Sequence, residues 1–166
     1  MPARSFICLL VVLISGARSA IAQNGDTEPK PAYGYALMTP GVTLGNAAAG
    51  TLALGVGAEG LIKGGLSAGA DVSYLFYPQG GIRHGFGLFS PGMFYQFTPR
   101  RKTVPFVAGG YSLAFRGDAF NLIHFGGGVN HWVNSRWGIR IEVRDHIPAR
   151  SAADHLLQFR VAFLFR

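Results

Sequence analysis

Three groups of residues have types and spacings that suggest chemistry. The first is Gly55 to Gly60, "GVGAEG", a G-x-G-x-x-G that follows the apolar run Thr51-Leu52-Ala53-Leu54. In a dinucleotide-binding fold such glycines let a turn approach a pyrophosphate. That reading needs a helix starting within the fingerprint and an acidic residue about 20 positions on. Here "LIKGGLSAGA" follows, so Gly64, Gly65 and Gly69 would each weaken a helix by about 1 kcal/mol, and Asp71 comes too early. No cofactor is expected. The second group is Asp145, His146, Ser151, Asp154 and His155. These are the residue types of nucleophilic catalysis, which needs a serine touching a histidine that a carboxylate orients. They carry no nucleophile motif and read better as loop-base residues bonding across a hairpin, so no catalytic residue is assigned. His124 and His131 stand apart, whereas zinc needs three or four convergent ligands, so no metal site is expected. The third group is Arg140, Glu142 and Arg144 in "WGIRIEVR", with Arg160 in "HLLQFRVAFLFR".

The third group defines the elements that must hold it. Trp137, Ile139, Ile141 and Val143 fall on one face, and Gly138, Arg140, Glu142 and Arg144 on the other. Leu157, Phe159, Val161, Phe163 and Phe165 alternate in the same way with Gln158, Arg160, Ala162 and Arg166. A period of two is that of a strand with one face in an apolar medium. Three charges within five residues cannot point into hydrocarbon. Only 14% of the chain is charged while 13% is aromatic, and glycine numbers 24. No run after the first apolar segment reaches the ~18 residues of a transmembrane helix. An apolar chain without a helical span is expected to be all-β: an eight-stranded antiparallel up-and-down transmembrane β-barrel.

Eight segments fit tilted membrane strands: 32–43, 50–62, 66–77, 86–98, 104–115, 121–133, 137–146 and 155–166. Pro40, Pro91 and Pro105 each need a bulge, an edge or a strand start, because proline lacks the ladder N–H. Tight turns at 63–65, 99–103 and 134–136 alternate with mostly longer connections at 43–49, 78–85, 116–120 and 147–154. Short turns at one end and longer loops at the other suit a barrel whose termini face the periplasm. Many basic residues lie in turns: Lys63, Arg100, Arg101, Lys102 and Arg136. Acidic lipid headgroups or lipopolysaccharide phosphates are their expected partners. Nucleic acid is not expected, given export and the scattered placement of charge.

Export follows from the first residues. Arg4, the apolar core "FICLLVVLI" (6–14) and Ala20-Ile21-Ala22 form a signal peptide over 1–22, with Gln23 as the new N-terminus. Cys8, the only cysteine, is lost with it, and the formal net charge falls from +7 to +5 with Arg4 and Arg18. Residues 23–31, "QNGDTEPKP", read as a polar lead-in, and 32–166 as the barrel.

Hairpin geometry sets the expected register. The 63–65 turn puts Asp71 opposite Gly57 and Glu59 opposite Gly69. The 134–136 turn puts Glu142 opposite Gly128, Arg144 opposite Gly126 and Arg140 opposite Asn130. In the last hairpin Glu142 meets Arg160 and Arg144 meets Gln158. An eight-stranded interior is only wide enough for side chains to fill, so small must face large. GVGAEG is then inward space holding one carboxylate. A polar lumen network is expected from Glu59, Asp71, Asn130, Arg140, Glu142, Arg144, Gln158 and Arg160. Two aromatic girdles are expected at the interfaces: Tyr95, Phe97, Trp132, Trp137, Phe163 and Phe165 at the turn end, and Tyr74, Phe76, Phe86, Phe89 and Phe115 at the loop end. A soluble lipocalin-like barrel would reverse the faces.

The ending "FRVAFLF" resembles the C-terminal strand of bacterial outer-membrane β-barrels, although Arg166 follows the usual terminal aromatic. "GGGVNHWVNSRWGIRIEVRDH" is similar to the penultimate hairpin of small barrels of the outer-membrane protein A transmembrane-domain type. The resemblance implies the barrel fold, the outer membrane and recognition of the C-terminal strand by the barrel-assembly machinery; a monomer among outer-membrane lipids and lipopolysaccharide is expected with it. It implies no activity, since such barrels serve as anchors, adhesins, channels and enzymes. The His-x-Ser-Asn arrangement of lipid A deacylases is absent. The expectation is a non-enzymatic barrel with a structural or surface-interaction role. The alternatives are a lipid A-modifying enzyme and a narrow ion channel.

Overall fold

The computed structural model describes residues 32–45, 48–80, 85–99, 101–116, 119–149 and 155–166; the expected signal peptide (1–22) and lead-in (23–31) lie outside the described residues. Eight strands follow one another: β1 (Ala32–Leu44), β2 (Ala49–Lys63), β3 (Leu66–Phe76), β4 (Phe86–Gln96), β5 (Thr103–Phe115), β6 (Ala119–Trp132), β7 (Trp137–Pro148) and β8 (His155–Phe165). Each pairs antiparallel with its sequence neighbour, and β1 pairs with β8 to close the barrel. Closure leaves no sheet edge, and this is what lets strands cross a bilayer with every ladder group paired.

Alternation places the two faces. Arg140, Glu142, Arg144 and Arg160 are buried inside the barrel, while Ile139, Ile141, Val143, Phe159 and Phe163 are exposed on its outer wall. The outer wall carries Leu54, Val56, Val72, Met93, Val107 and Phe125 as well. A soluble barrel has the opposite arrangement, so the apolar medium is outside and the barrel is of the transmembrane kind.

The expected register is present at every pair. Gly57 faces Asp71 and Glu59 faces Gly69. Gly126, Gly128 and Asn130 face Arg144, Glu142 and Arg140. Glu142 faces Arg160 and Arg144 faces Gln158. Positive φ at Gly64 (60°) and Gly65 (91°) closes the β2–β3 hairpin in two residues, and a Cβ on Gly65 would lie 2.3 Å from the Gln96 carbonyl oxygen. Pro40 sits inside β1, paired with Leu52 of β2, while the β8 ladder omits it between Met38–Val161 and Gly41–Gln158. Pro91 is likewise omitted from the β5 side of β4. Each proline thus interrupts one ladder locally and leaves the register on both sides intact.

The strands run further than expected at the loop end, and this corrects the contrast in connection lengths. β1 reaches Leu44, β6 begins at Ala119 and β7 continues to Pro148. The 116–118 connection is consequently shorter than the turn at 97–102. Polar pairing carries the strands past the apolar band: Thr43 bonds Ala49 across the first hairpin, and the Tyr111 hydroxyl bonds Asn121 across β5 and β6.

Candidate functional site

The lumen is stacked in layers. At the turn end lies a cluster around Glu59 and Arg140. Arg140 Nη2 donates to Glu59 Oε2 at 2.5 Å and to the Tyr33 hydroxyl at 2.9 Å, and its Nε donates to Asn130 Oδ1 at 2.7 Å. The second oxygen of Glu59 accepts from Ser67 Oγ (2.6 Å) and Gln96 Nε2 (2.7 Å). The guanidinium lies 4.5 Å from the ring centroid of Phe106 and 5.1 Å from that of Tyr35. Aromatic faces around a paired cation offset part of its lost hydration.

The next layer holds the other two cations and two anions. Asp71 Oδ2 accepts from Arg160 Nη2 (2.8 Å) and Arg144 Nη1 (3.1 Å). Glu142 Oε1 accepts from Arg144 Nε at 2.6 Å, while Arg160 Nη1 stands 3.7 Å away. The directly opposed pair, Glu142 and Arg160, is therefore not the tightest contact. Arg144, two residues along the same strand, takes Glu142, and Arg160 reaches across to Asp71. Three buried arginines face three buried carboxylates, so the lumen ions balance.

Above them comes a polar belt. Ser112 Oγ donates to Ser90 Oγ at 2.8 Å and contacts His124 Nδ1 at the same distance. Gln158 Oε1 lies 3.1 Å from His146 Nε2, and the two histidine rings are 5.4 Å apart. His146 is thus a lumen residue rather than a loop-base one. At the loop end the lining turns apolar, with Leu75, Leu88, Ala114, Leu122 and Leu156 below a cavity of about 510 Å³ that Tyr77 and Phe86 flank. Among the described residues no cluster of histidine, cysteine or carboxylate could hold a metal.

Every residue of the expected network faces inward and is buried. Tyr33, Tyr35, Ser67, Gln96, Ser90, Ser112, His124 and His146 join the interior as well. Their inward parity was visible in the alternation; Ser67, Ser90, Ser112, His124 and His146 bond to neighbouring strands, whereas Tyr33 and Gln96 reach partners across the lumen, where hairpin register does not reach.

No protein-family model and no curated protein matches this chain. Among solved structures, Neisserial surface protein A aligns with a TM-score of 0.62 at 13% identity, covering 81% of this chain and 96% of that one. The N-terminal β-barrel domain of Pseudomonas aeruginosa OprF aligns at 0.54 and 12% identity, covering 79% and 97%. The outer membrane enzyme PagL aligns at 0.54 and 14% identity, covering 80% and 99%. The fold is that of a small outer-membrane barrel. At these identities the likeness concerns the fold alone, which one of these proteins, PagL, shares as an enzyme.

The exterior of the barrel departs from expectation at two aromatics. Trp132 points inward at the turn end, where it meets the Tyr33 ring edge-on at 5.3 Å and lies 3.8 Å from the Arg166 guanidinium. Phe86 turns toward the loop-end lumen. Both sit on the inward parity of their strands, so they cap the interior instead of joining a girdle. Tyr95, Phe97, Trp137, Phe163 and Phe165 are exposed at the turn end, and Tyr74 and Phe89 at the loop side. Asp145 Oδ2 and His155 Nδ1 meet at 2.8 Å across the last hairpin on the outer rim. Ser151 and Asp154 lie outside the described residues. His131 bonds Thr103 at 2.9 Å on the exposed outer surface.

Proposed function

We propose that this protein is a non-enzymatic barrel of the outer membrane with a structural or surface-interaction role, acting as a monomer whose lumen is closed by its own ion pairs. The observation that supports it most is the burial of the lumen ions. Arg140 and Arg144 are 1% exposed and Glu142 and Tyr35 are 0% exposed. The wall of a water-filled pore would be accessible from at least one end. Here these groups are closed off from both ends, so the charges brace the barrel and conduct nothing. Its partners are outer-membrane lipids and lipopolysaccharide, and the assembly machinery that reads the C-terminal strand. In planar bilayers the folded protein is expected to give no steady conductance; a reproducible ohmic step would overturn the plugged reading.

One observation favours a second reading, a lipid A-modifying enzyme. The Asp145–His155 pair is a histidine oriented by a carboxylate, on the outer wall toward the loop end, which would face lipid. A nucleophile is still required, and Ser151 is the nearest serine in sequence. Expression in a bacterial envelope followed by mass analysis of lipid A decides between the readings. An unchanged mass supports the first, and a lost or gained acyl group that Ser151→Ala and His155→Ala both abolish supports the second.

A further inference from the structure

Among the described residues, the exposed side chains at the turn end of the barrel are charged in one sense only. Lys63, Arg101, Lys102, Arg136 and Arg166 lie there, all exposed, with Arg100 beside them in sequence. The turns at 64–65, 97–102 and 133–136 contain no carboxylate side chain. Among the described residues none of these cations forms an ion pair with an acidic side chain, whereas the three lumen arginines are all paired.

Part of this collar is a shaped site. The 97–102 and 133–136 turns enclose an open cavity of about 620 Å³ with Arg101, Lys102 and Arg166 on its wall and Trp132 beneath. Backbone bonds fix the turns to each other and to the chain end: Trp132 N donates to Lys102 O at 2.8 Å, and Arg166 N to Arg136 O at 3.0 Å. Asn134 Oδ1 accepts from the amides of Arg136 (2.8 Å) and Trp137 (2.9 Å), which holds the second turn rigid. Stacking on Trp132 orients the Arg166 guanidinium and leaves its edge for a ligand. The exposed rings of Tyr95, Phe97, Trp137 and Phe163 stand next to it on the outer wall, at the level of an interface.

We infer that this pocket binds the phosphate headgroup of an anionic phospholipid from the leaflet on the turn side. The inference rests on the membrane reading above. A phosphate suits the donor set, since arginine forks pair with its oxygens bidentately and lysine adds a point charge. The source is lipid because the site opens beside the aromatic girdle, where a headgroup stays while its chains remain in the bilayer. Each cation near such a surface contributes about a fivefold preference for anionic lipid.

The test is native mass spectrometry of the full-length folded protein released from bilayers of mixed phosphatidylglycerol and phosphatidylcholine. Wild type is expected to retain phosphatidylglycerol preferentially. Arg101→Gln with Lys102→Gln is expected to reduce that preference at least tenfold, whereas Arg116→Gln at the loop end leaves it intact. Equal retention of the two lipids by wild type, or an unchanged preference in the double variant, overturns the inference. So does displacement of the lipid by millimolar inorganic phosphate, which would assign the site to a soluble anion. Heat-modifiable gel mobility of each variant reports the folded barrel separately, so a failed lipid result is distinguishable from a failed barrel.

Discussion

Arg140 and Arg160 look alike in sequence, each an inward arginine on a closing strand, yet their neighbours make them unequal. Arg140 is the one cation bonded to Glu59, whose other partners are the neutral Ser67 and Gln96. Arg160 shares Asp71 with Arg144, which also holds Glu142. Removing one partner of a buried pair costs about 3–5 kcal/mol when the other charge is left uncompensated. Arg140→Met is therefore expected to lower stability by about that amount, and Arg160→Met by clearly less, because Arg144 still serves both carboxylates. Urea unfolding from lipid vesicles measures both. Adding Glu59→Gln to Arg140→Met should recover part of the loss, since the isoster removes the stranded charge and keeps the contacts with Ser67 and Gln96. Equal losses at the two arginines would contradict the layered pairing. The Arg140–Glu59 contact joins β7 to β2, and no hairpin places those strands face to face. The sequence therefore indicated which charges point inward, while the choice of partner waited on the closed cylinder.

At the scale of strands, glycines decide how closely the backbones approach. Register opposes Gly57 to Asp71 on β3 and to Tyr35 on β1, and a Cβ at Gly57 would meet the Tyr35 ring first, at 2.5 Å from Cζ. At Gly126 and Gly128 the nearest atoms are the carbonyl oxygens of Val143 and Ile141, at 2.4 and 2.1 Å. Inward glycines thus leave room for a ring from the neighbouring strand, or for the facing backbone itself. The small-against-large rule was legible from spacing, but the occupant of the space was not, because Tyr35 opposes Gly57 across the β1–β2 hairpin, whose connection was not read as a tight turn that sets a register. Gly57→Ala is expected to cost about 1–3 kcal/mol through overpacking. Combined with Tyr35→Val the two losses should be less than additive, because the smaller side chain removes the clash. Gly60→Ala, with nothing within 4 Å of the added carbon, should stay within about 0.5 kcal/mol of wild type. Full additivity of Gly57→Ala and Tyr35→Val in a double-mutant cycle would show that the ring is not what fills the gap.

For the whole molecule, the arrangement of faces makes depth in the bilayer a measurable coordinate. Eight segments could be read from the sequence because each strand alternates, and register could be read where a tight turn, such as 64–65 or 133–136, closes the hairpin. The loop-end boundaries could not, because polar pairs such as Thr43–Ala49 carry the strands beyond the apolar pattern that marked them. The same outer wall carries Val143 near the middle of β7 and Val133 just beyond the turn end of β6, both exposed. On a lipid-facing wall an arginine costs about 2–4 kcal/mol at the midplane and about 0–1 kcal/mol near the interface. Val143→Arg should therefore destabilise the folded protein in lipid vesicles by that larger amount, and Val133→Arg hardly at all. In a soluble barrel both positions would be wet and the two substitutions equally mild. Reversible urea unfolding of the two variants side by side separates the cases: a gap of at least 2 kcal/mol places Val143 in hydrocarbon, and equal midpoints would put water against the wall that this reading gives to lipid.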